Sequence, residues 1–129
     1  MVIDASVAVK WVVAEEQHDI ALRLARSSIE FAAPSVLVPE LINVLRKKVL
    51  RKELSAEQAV PAAAKATALI KQFVDLQDKT AEIMAMSLAL NHPAYDCCYI
   101  AAAKSIGAIL VTAAGVEAHS LGAWARTAG

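Results

Sequence analysis

The chain opens with a short apolar segment that ends in an acidic residue, and this order strongly constrains the fold. Val2 and Ile3 are β-branched and favour a strand. Asp4 follows directly, and small residues then lead into an apolar-periodic segment through Trp11 that indicates a helix. In open parallel sheets, ligands bind outside the carboxyl ends of the strands. Acidic side chains that reach the same edge as Asp4 are therefore candidates for a shared site.

Composition limits the class of protein. At 129 residues, with 57% hydrophobic and 20% charged residues, the chain is long and apolar enough for one folded domain over residues 1–129. The 13 basic residues balance the 13 acidic ones, so nucleic-acid binding would depend on a local patch. Cys97 and Cys98 are adjacent, which suits neither a disulfide framework nor a CxxC metal site. Without a long apolar run or a secretory pattern at its start, the chain is expected to be cytoplasmic, with no membrane partner.

Short apolar segments that favour strands alternate with helical segments. The predicted strands are Val2–Ile3, Phe31–Ala33, Phe73–Leu76, Ala108–Val111 and an edge strand at Ala123–Ala125. After the first helix, a short helix is predicted near Ile20–Ala25, and a long helix runs from a Ser35 cap to about Lys52 with Pro39 near its start. The next helix begins with a Ser55 and Gln58 capping box, and Pro61 predicts a kink or a late start in it. The last two predicted helices are Thr80–Leu90 and Tyr95–Ser105, and Gly107 ends the second of them. This order predicts an α/β domain with a mostly parallel sheet.

Three carboxylates differ from the other acidic residues in their sequence neighbours. Most acidic residues lie beside other charges on predicted helix surfaces and are expected to be solvated, whereas Asp4, Glu40 and Asp96 have apolar or small neighbours. Asp96 lies near a helix start, where an acid also fits ordinary capping and the helix dipole. Clustered carboxylates repel one another, and a hard divalent cation such as Mg²⁺ relieves this repulsion.

Glu40 begins a polar stripe on the long helix. At about 100° per residue, Glu40, Asn43, Lys47 and Arg51 fall within an arc of roughly 80°. An acid followed by an amide and two cations suits a metal-bound phosphodiester, because the cations can contact the nucleic-acid backbone. The same stripe also fits the ordinary polar face of an amphipathic helix, and both interpretations stand at this stage.

The acidic motifs resemble those of PIN-domain nucleases. The matching residues are Asp4 in VIDASVAVKW, Glu40 with Asn43 in PSVLVPELINVLRK, Asp96 in YDCCYIAAAK, and the strand end LVTA with Thr112. The likeness is greatest to VapC toxins of bacterial and archaeal toxin–antitoxin pairs. The resemblance implies a three-layer α/β/α fold and a Mg²⁺- or Mn²⁺-dependent endoribonuclease that uses Asp4, Glu40 and Asp96. It also implies a homodimer that is inhibited by a cognate VapB-like antitoxin inserted into the active-site groove.

One family position is not matched. A fourth acid usually follows the Thr-Ala strand end, but here Ala114 stands at that place. A three-acid site, replacement by Glu117, and impaired activity all explain this difference. The alternative function is therefore a PIN-like binding module that pairs with an antitoxin without turnover. Ser6 fits either a supporting role beside Asp4 or simple capping.

The remaining sequence features give weaker indications of function. The segment RKKVLRK contains Lys47 and Arg51 as candidate phosphate contacts, with an ordinary solvated face as the alternative. Lys48 and Lys52 turn away from this stripe and are expected at the free surface. The histidines show no metal-ligand spacing, and the adjacent cysteines are expected to pack within a helix. No Walker motif or GxGxxG is present, so a nucleotide cofactor has no support. A receiver-like domain fits the topology but lacks an early acidic pair.

Overall fold

A parallel sheet forms the centre of the protein. The computed structural model describes residues 1–113 and 115–116. Within them the strands are β1 (Val2–Ile3), β2 (Phe31–Pro34), β3 (Ile70–Val74), β4 (Leu110–Thr112) and β5 (Gly115–Val116). They are arranged in the order β3-β2-β1-β4-β5, and β5 alone pairs antiparallel to its neighbour. The predicted α/β class with a mostly parallel sheet is confirmed.

Helices alternate with these strands. They are α1 (Ala5–Val12), α2 (His18–Ala25), α3 (Leu37–Leu50), α4 (Ala56–Ala68), α5 (Thr80–Leu90) and α6 (Ala94–Ile106), with a 3₁₀ turn at Gln77–Lys79. The predicted capping box of α4 is present, because Ser55 and Gln58 each accept a hydrogen bond from the other's backbone N–H. Gly107 ends α6 with a φ of 65°, a conformation that glycine adopts without strain.

Two helix predictions need correction. Ser35 does not cap α3, since the helix begins at Leu37 after Val36 and has no side-chain cap. Pro39 is the third residue of α3, where its missing N–H removes one donor that a cap would otherwise satisfy. Of the two outcomes predicted for Pro61, the late start is wrong, because α4 begins at Ala56 and contains the proline, while the kink stays a prediction.

Two strand boundaries also differ from the prediction. The third strand covers Ile70–Val74 and not Phe73–Leu76, because it pairs with β2 from Phe31 to Pro34 and ends where that partner ends. It lies at the sheet edge, so its polar residues 71 and 72 remain exposed. The fourth strand begins at Leu110 and not at Ala108, whose N–H still bonds the end of α6. The predicted strand at Ala123–Ala125 lies outside the described residues.

Helices cover both faces of the sheet. On one face α6 packs against β1, β2 and β4 with α5 beside it, and on the other face α1 packs with α3 and α4. Val2 and Ile3 are therefore buried on both sides, as expected of a central parallel strand. The Trp11 ring packs against Phe31 with ring centroids 5.0 Å apart, and both side chains belong to the core. Among the described helices, none is long and apolar enough to cross a membrane.

The strand order creates a crevice beside β1. The chain runs from β1 to β2 and β3 on one side and later returns to the other side as β4. Such a reversal separates the connections that follow neighbouring strands and leaves space at their carboxyl ends. The carboxyl ends of β1 and β4 are Ile3 and Thr112, so Asp4 and Ala113, the residues that follow these two strands, lie at the same edge of the sheet.

Candidate active site

Asp4 links the end of β1 to the start of α1. It is the N-cap of α1, and its Oδ1 accepts hydrogen bonds from the Val7 N–H (3.2 Å) and the Ser6 hydroxyl (2.5 Å). Burial raises the pKa of Asp4, the bonds from Ser6 and Val7 oppose this change, and the charge of Asp96 adds to it. The carboxylate is therefore held in a fixed orientation although its charged form is disfavoured.

Ser6 connects the ends of two neighbouring strands. While its hydroxyl donates to Asp4, its Oγ accepts a hydrogen bond from the Ala113 N–H at 3.0 Å. Ala113 directly follows Thr112, the last residue of β4. Thr112 itself is half-buried beside this connection. Ser6 therefore supports Asp4 from the β4 side. Of the two roles predicted for Ser6, the supporting role is favoured over capping, because the N-cap of α1 is Asp4.

Glu40 enters the same crevice from the first turn of α3. The side chain is half-buried, and its Oε1 is inaccessible to solvent without a hydrogen-bond partner in the part of the chain that the structure describes. Burial raises the pKa of Glu40, the Tyr99 hydroxyl opposes this change, and the charges of Asp4 and Asp96 raise the pKa further. A carboxylate oxygen that is buried and unpartnered is costly, and native proteins retain few such atoms.

Asp96 is the third residue of α6 and lies at the rim of the crevice. Its side chain is 66% exposed, and its Oδ2 lies 3.8 Å from the Nδ1 atom of His92. The charge of Asp96 contributes to the raised pKa of both Asp4 and Glu40, so the three predicted acids are close enough to interact electrostatically.

Tyr99 is a site residue that the sequence analysis did not single out. It follows Asp96 by three residues on α6 and is buried, with its hydroxyl directed to Glu40 and to the backbone N–H of Ala5. Burial raises the pKa of Tyr99, and the charges of Glu40 and Asp4 raise it further. The signal was available in the spacing, since residues three apart on a helix are neighbours.

The basic stripe of α3 continues away from the acids. Asn43, Lys47 and Arg51 are all exposed, and none forms an ion pair with another described residue. Lys48, expected at the free surface, is instead largely buried and pairs with Glu15 and Glu53. Lys47 and Arg51 thus differ from Lys48 in being exposed and in forming no ion pair with another described residue.

A family comparison identifies the fold and its chemistry. The family model described as "PIN domain" matches residues 1–115. The chain belongs to the PIN domain family. PIN domains are generally metal-dependent nucleases, so membership supports nuclease chemistry at that level. The receiver-like interpretation is therefore wrong.

A solved structure supports the same fold. The PIN domain is similar to PAE2754 from Pyrobaculum aerophilum, with a TM-score of 0.67, 20% sequence identity, and coverage of 87% of this chain and 78% of that chain. At this identity the likeness concerns the fold alone. A search of curated protein sequences gave no match.

The donor set of this PIN domain fits a hydrated cation. Within residues 1–113 and 115–116, no group of three or more His, Cys, Asp or Glu side chains is positioned to hold an ion directly. Mg²⁺ nevertheless keeps several waters and is commonly bound by one or two carboxylates. The buried Oε1 of Glu40 and the mutually repelling acids suit such an ion, with the remaining contacts made through water.

The unmatched family position lies close to this site in the chain. Ala114 and Glu117 both lie outside the described residues. Ala114 directly follows Ala113, whose N–H bonds Ser6. The three-acid site and the replacement by Glu117 therefore remain predictions.

Proposed function

We propose that this PIN domain is a VapC-type endoribonuclease that requires Mg²⁺ or Mn²⁺. The observation that carries the proposal is the meeting of Asp4, Glu40 and Asp96 at the carboxyl end of a parallel sheet, with the pKa of both Asp4 and Glu40 raised. Such carboxylates favour a cation that neutralises them. The cation supplies an activated water and neutralises charge on the phosphodiester.

Each side chain has a distinct task in this proposal. Asp4 is oriented by Ser6 and Val7, so it presents its second oxygen to the crevice in a fixed position. Glu40 presents its unpartnered Oε1 from the opposite helix, and Asp96 completes the set from the solvent side. Together they would hold the ion at the point where the RNA backbone enters.

The exposed stripe of α3 supplies the RNA contact. Lys47 and Arg51 lie two and three helical turns beyond Glu40, which is about 10–17 Å along the axis at 1.5 Å per residue. Asn43 lies between them and the acid and can donate to a phosphate or sugar oxygen. An RNA strand that crosses the acids would therefore continue along two cations.

Two protein partners are part of the proposal. An apolar groove of about 540 Å³ is lined in part by Val36, which directly precedes the helix of Glu40, and by Cys98, two residues after Asp96 on α6. We assign this groove to a cognate VapB-like antitoxin, which would block the crevice from Asp96's side. Leu88 of helix α5 is 70% exposed and does not line this groove, and it supports a homodimer contact on that helix. The enzyme is expected to act in the cytoplasm.

Cleavage of RNA by partner-free protein tests the proposal. Structured RNAs are incubated with Mg²⁺, Mn²⁺ or EDTA, and wild type is compared with Asp96→Asn and with Asp78→Asn. Asp78 is an exposed acid that does not contribute to the raised pKa of Asp4 or Glu40. We expect metal-dependent cleavage that Asp96→Asn abolishes and Asp78→Asn preserves. Cleavage that continues in EDTA, or equally in both variants, would contradict the proposal.

A binding module without turnover is the second candidate. The observation that favours it is Ala114 in place of the usual acid, together with the lack of a direct three-ligand cage among the residues described. This candidate predicts RNA or antitoxin binding that needs no metal, and no cleavage under any of the conditions above. Co-purification with the product of an adjacent small gene tests the antitoxin pairing in either case.

A further inference from the structure

The outer edge of β3 is able to accept a further strand. β3 stands at one end of the sheet, and among the described strands only β2 pairs with it. The outer side of such a strand presents backbone N–H and C=O groups that no strand neighbour satisfies. With five residues, β3 is also the longest of the described strands, whereas natural proteins commonly keep an edge strand short.

One face of this edge carries a cation, an aromatic ring and an acid in that order. Successive residues of a strand point to opposite faces, so Lys71, Phe73 and Asp75 lie on the same face. All three are exposed, and the large apolar side chain of Phe73 is 39% accessible. Lys71 forms no ion pair with another described residue. Asp75 accepts a hydrogen bond from the Gln77 N–H through Oδ1, and it forms no ion pair in the described part of the chain either.

This order of side chains is complementary to itself. A twofold axis perpendicular to the sheet at Phe73 would set two copies of β3 antiparallel, with the same face of each sheet on the same side. Lys71 of each copy then lies opposite Asp75 of the other, and the two Phe73 rings meet at the axis. Directly opposite residues of an antiparallel pair have Cβ atoms about 4.5–5.5 Å apart, which is close enough for ion pairs and for a ring contact.

Lys71 also selects this register among its neighbours. A lysine on an edge strand normally discourages pairing, because its charge is placed against the added strand. A register centred on Gln72 sets Lys71 opposite Phe73, and a register centred on Lys71 sets two like charges opposite each other, which is destabilising. Of these three registers, only the one centred on Phe73 gives both Lys71 and Asp75 a partner of opposite charge.

We propose that the outer edge of β3 is an interface between two copies of this chain, which join their sheets antiparallel about Phe73. The inference goes beyond the proposed function, because it involves none of the crevice acids and a different surface from the Leu88 contact of α5. By symmetry each interface contains two pairs of Lys71 with Asp75. Where the Leu88 contact also forms, the β3 contact joins two dimers into a tetramer.

Charge reversal and its rescue test the inference. Sedimentation velocity over a concentration series compares wild type with Lys71→Glu, Asp75→Lys and the double variant that carries both substitutions. Each single variant places like charges opposite each other twice in the interface, so we expect the association to weaken at least about tenfold. The double variant restores opposite charges and should associate within about threefold of wild type.

Arg23→Glu is the matched control. It makes the same change of net charge as Lys71→Glu, but on α2, which packs against α1. It should therefore associate as wild type does. Equal association of wild type, Lys71→Glu and Arg23→Glu would overturn the inference, and so would a wild type that stays monomeric or a double variant that associates no better than the single variants.

Disulfide trapping tests the register independently. Phe73→Cys places one thiol of each copy at the axis, within the Cα separation of about 4.4–6.8 Å that a disulfide requires. In the same register Gln72→Cys leaves the paired Cα atoms more than about 7 Å apart. Under mild oxidation Phe73→Cys should form a covalent dimer in preference to Gln72→Cys and to wild type, whose own thiols are Cys97 and Cys98. Equal cross-linking of the three proteins, or cross-linking by Gln72→Cys alone, would overturn the proposed pairing.

Discussion

Asp4 caps a helix and is also a proposed metal ligand, and two substitutions separate these roles. In Asp4→Asn the amide oxygen can still accept from the Val7 N–H and the Ser6 hydroxyl, while the charge is lost. In Asp4→Ala the charge and both acceptors are lost. The two variants should therefore share the metal defect and differ in stability.

The expected stability changes follow from the contacts. Loss of a side-chain N-cap costs about 0.5–2 kcal/mol, and the Ser6 hydroxyl also loses its acceptor, so Asp4→Ala should cost about 1–2 kcal/mol. For a domain of this size that cost corresponds to roughly 4–8 °C in unfolding temperature. Asp4→Asn should unfold within about 2 °C of wild type or slightly higher, because burial and Asp96 disfavour the charge that it removes.

The assay combines thermal unfolding with metal titration. Circular dichroism in EDTA gives the unfolding temperature of wild type, Asp4→Asn and Asp4→Ala, and Mn²⁺ titration gives their affinities. Both variants should bind Mn²⁺ at least about tenfold more weakly, a change of about 1.4 kcal/mol. The reasoning is refuted if Asp4→Asn destabilises as much as Asp4→Ala, or if Asp4→Asn binds the ion as wild type does.

Three further predictions concern pH, salt and the unmatched acid position. Because folding raises the pKa of Asp4, the N-cap of α1, and of Glu40 on α3, the stability that these two carboxyls contribute is lost as the pH rises above the ordinary carboxyl range of about 4. In EDTA the unfolding temperature should therefore fall over this pH interval, and it should fall less in Asp4→Asn. Equal pH profiles for wild type and Asp4→Asn would contradict the expectation. Lys47→Gln and Arg51→Gln should each reduce the slope of log affinity for RNA against log salt by about 0.7–1. Lys48→Gln removes an ammonium that is held in ion pairs, so it should instead lower the unfolding temperature and leave the salt dependence of RNA affinity unchanged. The same salt dependence in all three variants would argue against phosphate contacts by Lys47 and Arg51. Ala114→Asp should raise Mn²⁺ affinity or cleavage, and no gain in either with the fold intact would count against Ala114 occupying the fourth acid position.

The sequence by itself determined the elements and the candidate acids. Val2, Ile3 and Asp4 predicted a strand that ends in a carboxylate, and Ser55 and Gly107 marked helix ends, because caps and turn conformations depend on neighbouring residues only. Residue spacing along α3 placed Glu40 on one stripe with its cations. These local features are present in the structure because they are compatible with its tertiary contacts.

Only the tertiary structure decided which groups meet. The strand reversal beside β1 brings Glu40 and Asp96 to Asp4, and packing of α6 on the sheet places the Tyr99 hydroxyl against Glu40. Ion pairs with Glu15 and Glu53 hold Lys48 to the protein, although helical spacing alone predicted a free surface residue. Contacts between residues distant in sequence depend on strand order and helix packing. Side-chain periodicity within one segment does not contain that information.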